Sequence, residues 1–453
     1  MVVKRHGLKV SPTRSATESE PTHLFAAQAI IAERWRSTFR SAANIRYESL
    51  YRGDAAVSEV DMRKQHFHLP EGVIYLDGNS LGPLPKKAAA RVAQTVSDEW
   101  GDLLIKGWNE AGWFHQPAVL GNRLAPLIGA PQNSVVLGDT LSIKVYQALA
   151  AGLKMRPDRK VILSDTGNFP TDLYMAEGLI KLIDGDIELK VVPPEQVEDH
   201  LDDSVAVMML TQVDYRTGRL HDMASLTQKA HEAGVVALWD LAHSAGALPI
   251  YLEACKAEFA VGCTYKYLNA GPGSPAFIYT RPDLAEAVEP ALSGWMGHAS
   301  PFAFDIDYQP SPGIERMRVG TPPVLQMAAL DAALDVWEGV SMHEVRARSI
   351  ELSELFIREV ESRCPQLRLV SPRASEHRGS QVSFAFEEGY AAMQALIAAG
   401  VIGDFRAPDV MRFGFTPLYI DSEDVMKAVA ILEDIMLNKA WDRNKFKQRA
   451  AVT

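Results

Sequence analysis

The sequence predicts an α/β protein: a large, mostly parallel β-sheet covered by helices on both faces, followed by a smaller C-terminal α+β domain. Three observations carry this expectation. Short apolar runs of strand length alternate with helical segments from about residue 70 to 280. Those runs are apolar at consecutive positions, as in Val205-Ala206-Val207-Met208-Met209-Leu210, which suits strands buried on both faces and not a half-exposed antiparallel sheet. A chain of 453 residues also exceeds what one hydrophobic core usually organises, so a second domain is expected.

Residues 1–69 form an N-terminal extension. Lys4, Arg5, His6, Pro12 and Pro21 make its start polar and poorly packed, and Leu24, Ala27, Ile30, Ile31 and Trp35 recur at helical spacing over 23–40, which predicts a short amphipathic helix. Arg34, Arg36 and Arg40 are reminiscent of a transit peptide, but Glu18, Glu20 and Glu33 oppose one. The large domain spans 70–322. It opens with a strand at 73–76, a turn at Asp77-Gly78-Asn79-Ser80 and a helix over 85–104. Strands follow at 134–137, 160–163, 188–192, 205–210, 235–239, 259–263 and 276–279, with helices between them. The small domain spans 323–453. It turns helical after Thr321-Pro322-Pro323 to about residue 364, with Met327, Leu330, Leu334 and Trp337 on one stripe. Strands at 367–370, 381–386 and 410–415 then mix with helices at 390–399 and 422–437.

Composition narrows the function classes. Apolar residues make up 47% and charged ones 23%, ordinary for a globular enzyme. A formal charge of −11 argues against nucleic acid or an anionic membrane as partner, because such binding needs basic surface. Cys255, Cys263 and Cys364 are few, odd in number and scattered, so neither a disulfide framework nor a zinc cluster is expected. No apolar run reaches the about 18 residues of a membrane span, and the expected location is the cytoplasm.

The chemistry gathers at strand ends, where a sheet of this kind binds ligands. Asp240 ends the run Val235-Val236-Ala237-Leu238-Trp239 and precedes Leu241-Ala242-His243; one strand later come Thr264-Tyr265-Lys266-Tyr267 and then Gly271 and Gly273. A buried acid can keep the pyridine nitrogen of pyridoxal phosphate protonated, and a lysine beyond the next strand can condense with its aldehyde. Gly138-Asp139-Thr140-Leu141-Ser142 opens a helix after a strand and forms an anion site suited to the cofactor phosphate. Asn168-Phe169-Pro170-Thr171-Asp172 offers Phe169 as a flat face for the ring and Asp172 as a second acceptor. Arg406 and Arg412 flank Pro408, and an arginine fork suits an α-carboxylate.

Five segments resemble the kynureninase family in order and spacing: Tyr75-Leu76-Asp77-Gly78-Asn79-Ser80-Leu81-Gly82, Gly107-Trp108-Asn109-Glu110-Ala111-Gly112-Trp113, Asn168-Phe169-Pro170-Thr171-Asp172-Leu173-Tyr174, Asp240-Leu241-Ala242-His243, and Tyr265-Lys266-Tyr267-Leu268-Asn269-Ala270-Gly271. The resemblance runs from about residue 60 to 440. It implies the aspartate aminotransferase-like fold type I of pyridoxal phosphate enzymes, hydrolysis of L-kynurenine to anthranilate and L-alanine in tryptophan catabolism, and a homodimer with the active site at its interface. By the same resemblance Lys266 holds the cofactor and moves the α-proton, and Tyr265 donates a proton. Asp240 pairs with the pyridine nitrogen with His243 beside it. Leu141, Ser142, Thr211 and Tyr265 hold the phosphate end, and Phe169, Pro170, Thr171 and Asp172 lie at the ring. Trp295 and Thr321 are cofactor contacts that reach across the dimer, Arg412 grips the substrate carboxylate, and Arg406 supports it.

Trp108, Gly320 and Thr321 match the bacterial type of the family, where the vertebrate type has His and Asn at 108 and 321. That implies a preference for L-kynurenine over 3-hydroxykynurenine. Ser142 stands where Thr is usual, and Lys144 where many members have Asn, which puts a positive charge near the phosphate helix. The rival readings are another enzyme of the same fold, such as a cysteine desulfurase or an aminotransferase, and a non-catalytic protein that keeps the fold as a binding module.

Overall fold

The computed structural model describes residues 63–183 and 185–449. The helix expected over 23–40 lies outside the described residues. The described part belongs to one compact unit, Ser58–Thr453.

Its centre is a seven-stranded sheet. The strands are β2 (Val135–Leu137), β3 (Val161–Asp165), β4 (Glu188–Val192), β5 (Val205–Thr211), β6 (Val236–Asp240), β7 (Phe259–Gly262) and β8 (Phe277–Thr280), in the spatial order β2-β8-β7-β6-β5-β3-β4. A shorter strand, β1 (Ile74–Tyr75), precedes them and pairs elsewhere. The sheet is parallel except at β8, which runs antiparallel to both its neighbours. The carboxyl ends of β2, β3, β5, β6 and β7 therefore share one edge.

The consecutive apolar positions are explained by two covered faces. On β6, Val236 and Leu238 join a cluster with Val145, Leu149 and Leu179, while Ala237 and Trp239 join a second cluster with Met327 and Leu330. Helices α2 (Leu141–Met155) and α3 (Pro170–Leu182) cover the first face; α4 (Met223–Glu232) and α5 (Val324–Leu334) pack on the second. Trp239 is fully buried and its indole N–H donates to Thr227 Oγ1 at 3.0 Å, which fixes the strand immediately before Asp240. A side chain of that size in a core contributes roughly 3–5 kcal/mol against truncation.

The C-terminal part forms a separate four-stranded antiparallel sheet of β9 (Arg368–Leu369), β10 (Gln381–Ala385), β12 (Asp404–Arg406) and β13 (Val410–Gly414), ordered β9-β10-β13-β12. Helices α6 (Met342–Arg363), α7 (Gly389–Ala398) and α8 (Ser422–Leu437) accompany it. Phe356 of α6 packs on Phe413 with ring centroids 4.9 Å apart and on Phe415 at 5.2 Å. β11 (Val401–Ile402) pairs in parallel with β1, and Gly414 N–H of β13 donates to Leu76 O at 2.7 Å, so the segment holding Asp77 and Ser80 is tied to the second sheet.

Three expectations need adjustment. The helix expected over 85–104 is α-helical only as α1 (Lys86–Gln94); wider π-type turns follow over Thr95–Leu103. Val96, Trp100, Leu104 and Ile105 there are exposed, so no core face imposes the ordinary helical period. The helical stretch from 323 to 364 is broken after the turn Asp335–Trp337, with Gly339 at positive φ before α6 begins. The expected stripe of Met327, Leu330, Leu334 and Trp337 is buried throughout. Strands β11 and β12 are additional elements with no apolar run to mark them.

Candidate active site

The shared sheet edge gathers most of the expected site residues. Thr211 ends β5 directly across from Asp240 at the end of β6. Asp165 ends β3 and leads into the loop of Phe169, and the segment after β7 carries Tyr265 and Lys266.

Lys266 lies at the centre. Its Nζ is 3.2 Å from His243 Nε2, 5.9 Å from the centroid of the Phe169 ring and 5.7 Å from that of Tyr265. Desolvation lowers its pKa, partly opposed by Cys263 and Asp240, and Arg412 and Arg406 push it lower still, which favours the neutral, nucleophilic amine. His243 is buried, and burial with the nearby Lys266 holds its pKa well below the usual value, so it is a neutral neighbour.

Asp240 is buried and accepts the Ala242 N–H at 2.8 Å. Burial pushes its pKa up to about 6 against the pull of Lys266. Asp172 hydrogen-bonds to it; burial and then the Asp240 charge raise the Asp172 pKa well above the ordinary value. Burial and the neighbouring Asp240 charge thus favour the protonated form of Asp172. A donated hydrogen bond stabilises the Asp240 anion. Phe169 caps α3 from outside, remains partly exposed and meets Tyr215 edge to face at 5.1 Å. Pro170 and Thr171 open that helix, Pro170 at a position where its missing N–H costs nothing.

The phosphate end is the amino terminus of α2. Thr140 makes no side-chain capping bond, so the first amides, those of Leu141 and Ser142 among them, point outward with no intrahelical acceptor. Gly138 at φ 152° and Asp139 at φ 55° turn the chain into this position. Thr211 Oγ1 donates to Val213 O at 3.2 Å and is buried nearby on the same edge.

Arg412 is nearly fully buried and faces Asp404 across β12 and β13. Its Nε lies 2.6 Å from Asp404 Oδ1, and its NH2 meets Asp404 Oδ2 and donates to Ser80 Oγ at 2.9 Å; NH1 donates to the Tyr215 carbonyl. Arg406 NH2 joins Asp404 Oδ2 at 2.9 Å and stays more accessible. Burial opposes the Asp404 charge, but the two arginines hold its pKa below normal. Asp77, beside this cluster, is pushed up to about 8 by burial and by Asp404. Sequence reasoning left Asp404, Asp77, Ser80, Tyr215 and Cys263 without a role. Asp77 and Ser80 lie in a turn it did mark; Asp404 lies in a strand with no apolar signal.

Among the described residues Trp108, Trp295 and Thr321 make no hydrogen bond or ring contact with Lys266. Trp108 packs edge to face on Trp113 at 6.0 Å, Trp295 packs on Phe302 at 5.8 Å, and Thr321 is exposed, lining a small cleft with Gly138, Asp139 and Arg318.

These residues fit pyridoxal phosphate. Asp77 Oδ1 and both polar atoms of the Asn79 amide are buried without a partner in the turn that carries Ser80, as a site for a polar ligand requires. An uncapped helix terminus, an aromatic face, a buried anion and a desolvated lysine answer the phosphate, ring, ring nitrogen and aldehyde in turn.

Comparison with known proteins gives the same direction. Residues 345–432 match the family described as the kynureninase C-terminal domain. A relative from Burkholderia mallei (strain SAVP1), named kynureninase, is 52% identical over 397 residues, covering 86% of this chain and 95% of its own. Among solved structures, the apo cysteine desulfurase from Thermococcus onnurineus NA1 superimposes with a TM-score of 0.71 at 17% identity, covering 85% of this chain and all of its own. A C-DES variant with glycine covalently linked to the PLP cofactor superimposes at 0.70 with 19% identity, covering 82% of this chain and 99% of its own. At such identities the two structures speak for the fold, which is fold type I.

Proposed function

The chain belongs to the kynureninase family, and on that premise we propose that it hydrolyses L-kynurenine to anthranilate and L-alanine, with pyridoxal phosphate as cofactor. The observation that carries this is the desolvated Lys266 amine set between His243, Phe169 and Tyr265, with the Asp240–Asp172 pair beside it. Bound to a lysine and protonated at its ring nitrogen, pyridoxal phosphate supplies an electron sink for charge that develops on the substrate's α- and β-carbons.

The chain's residues do the rest. Leu141 and Ser142 amides, with Thr211 and Tyr265, hold the phosphate; Phe169, Pro170, Thr171 and Asp172 frame the ring; Asp240, fixed by Ala242 N–H and Asp172, keeps the ring nitrogen protonated, and His243 lies neutral beside Lys266. Lys266 takes the α-proton. Arg412 and the more accessible Arg406 hold the α-carboxylate. Water adds to the substrate ketone, the bond between its β- and γ-carbons breaks with release of anthranilate, and the alanyl β-carbon takes a proton from Tyr265. Tyr265 suits that task because Cys263 and burial raise its pKa, so it keeps its proton at neutral pH. Tyr265→Phe is expected to retain the cofactor and lower turnover about 10²-fold, read as alanine release from L-kynurenine. Unchanged turnover would remove Tyr265 from the mechanism.

A desulfurase needs a reactive, mobile thiolate. Cys263 and Cys364 are buried, and burial raises the pKa of all three thiols, Cys364 to about 11. The division into residues 70–322 as the cofactor-binding domain and 323–453 as the smaller one is part of this proposal, supported by the separate sheet that holds Arg406 and Arg412.

The working unit in this proposal is a homodimer with Trp108, Trp295 and Thr321 at its interface. Support comes from exposed apolar side chains in the same segments: Trp100, Leu104 and Ile105 before Trp108, and Phe302, Phe304 and Ile306 after Trp295, with Ile306 96% exposed. Sedimentation is expected to give twice the chain mass, and a single-chain mass at micromolar concentration would overturn the dimer. Preference for L-kynurenine over 3-hydroxykynurenine rests on Trp108 and Thr321, whose bulk and methyl group leave the added hydroxyl little room and few partners. The proposed location is the cytoplasm; among the described residues no helix is long and apolar enough to cross a membrane.

A further inference from the structure

We propose that Lys144 is a positioning residue of the cofactor-phosphate loop, cancelling the Asp139 charge from beneath so that the loop presents amides and no net negative charge to the phosphate. This rests on the reading that the amino terminus of α2 holds that phosphate.

Lys144 lies in the first turn of α2 with its side chain fully buried. Burying an ammonium is costly, and here each of its three protons has an acceptor: Asp139 Oδ2 at 3.0 Å, Gln147 Oε1 at 3.0 Å and Met317 O at 3.1 Å. Asp139 is the residue that turns into α2, held at φ 55°. Ala276, the residue before β8, clamps the backbone there: Gly138 N–H donates to Ala276 O at 3.0 Å, and Ala276 N–H donates to Asp139 O at 3.1 Å. The Asp139 carboxylate, 31% exposed, therefore cannot leave the lip of the loop, two residues before Leu141 and three before Ser142. Uncompensated, it would repel a phosphate dianion at those amides.

Lys144 also has a second effect. Met317 ends the turn Gly313–Met317, and Gln147 Nε2 donates to the same carbonyl at 3.2 Å. From Met317 the chain runs through Arg318, buried and bound to Glu315 and to the Phe114 carbonyl, to Thr321. One buried ammonium thus fixes the phosphate loop against the segment that bears Thr321. No catalytic step uses it.

The test measures cofactor release from purified holoenzyme into an excess of a scavenging apoenzyme, together with the melting temperatures of the holo and apo forms. Lys144→Met is expected to release pyridoxal phosphate about tenfold faster and to narrow the gap between the two melting temperatures. Adding Asp139→Asn to that variant is expected to restore slow release, which repair of a mere packing defect would not do. Asp139→Asn alone, whose amide oxygen can still accept from Lys144 Nζ, is expected to slow release. Equal loss of melting temperature in holo and apo Lys144→Met with release unchanged would overturn the inference, as would faster release from Asp139→Asn. Ser142→Asp, which sets a carboxylate beside those amides, separates the two levels. If it speeds release while Lys144→Met does not, the inference alone fails; if it leaves release unchanged, the phosphate site itself is misassigned and the inference falls with it.

Discussion

Lys266→Ala loses turnover by about 10⁴-fold or more, and borohydride reduction no longer attaches the cofactor to the chain. Both losses have one cause. The Nζ atom is the nucleophile for the aldehyde and afterwards the base for the α-proton, and its neighbours do not replace it. His243 Nε2 is 3.2 Å away but is a neutral ring whose pKa burial holds low, so it is a poor acceptor for the α-proton. Tyr265 keeps its proton. Mass spectrometry of the reduced wild-type chain should find the cofactor on the peptide containing Lys266. Attachment elsewhere, or turnover within tenfold of wild type in the variant, would contradict the assignment.

Asp240→Asn should keep the cofactor bound and reduce turnover about 10³-fold. The exchange is isosteric and an amide oxygen can still accept the Ala242 N–H, so the loop after β6 keeps its form. The negative charge is what disappears, and with it the force that keeps the ring nitrogen protonated. Asp172 is a poor substitute: burial raises its pKa well above the ordinary carboxylate value, which disfavours the anion there. Steady-state kinetics with the absorption spectrum of the bound cofactor decides the matter. A fall of less than tenfold with the cofactor in place would mean that the ring nitrogen does not depend on Asp240.

The sheet that carries these residues is legible in the sequence because strands covered on both faces must be apolar at consecutive positions. The strands ending at Asp165, Thr211 and Asp240 stand within a few residues of where that pattern puts them. Lys266, Asp240, Phe169 and the α2 terminus are legible for a second reason: each has a residue type that chemistry at a strand end demands. The Asp404–Arg406 strand is different. Three residues with charges at both ends have no periodicity, and their extended form comes from pairing with β13. Hence Asp404, which pairs with both arginines, has no one-dimensional signature. The same holds for the raised pKa of Asp172, which depends on burial and on an acid 68 positions away in sequence becoming a neighbour in space. The turns after Gln94 depart from the expected helix for the opposite reason, since among the described residues Trp100, Leu104 and Ile105 meet no core that would impose a period.

The most direct measurement is release of anthranilate and alanine from L-kynurenine by purified protein loaded with pyridoxal phosphate, run beside release from 3-hydroxykynurenine. Hydrolysis of both, faster for L-kynurenine, is the expected result. Preference for the hydroxylated compound would contradict the roles given to Trp108 and Thr321 while leaving the reaction intact. Release of neither product from either compound, with the cofactor bound at Lys266, would contradict the proposed function itself.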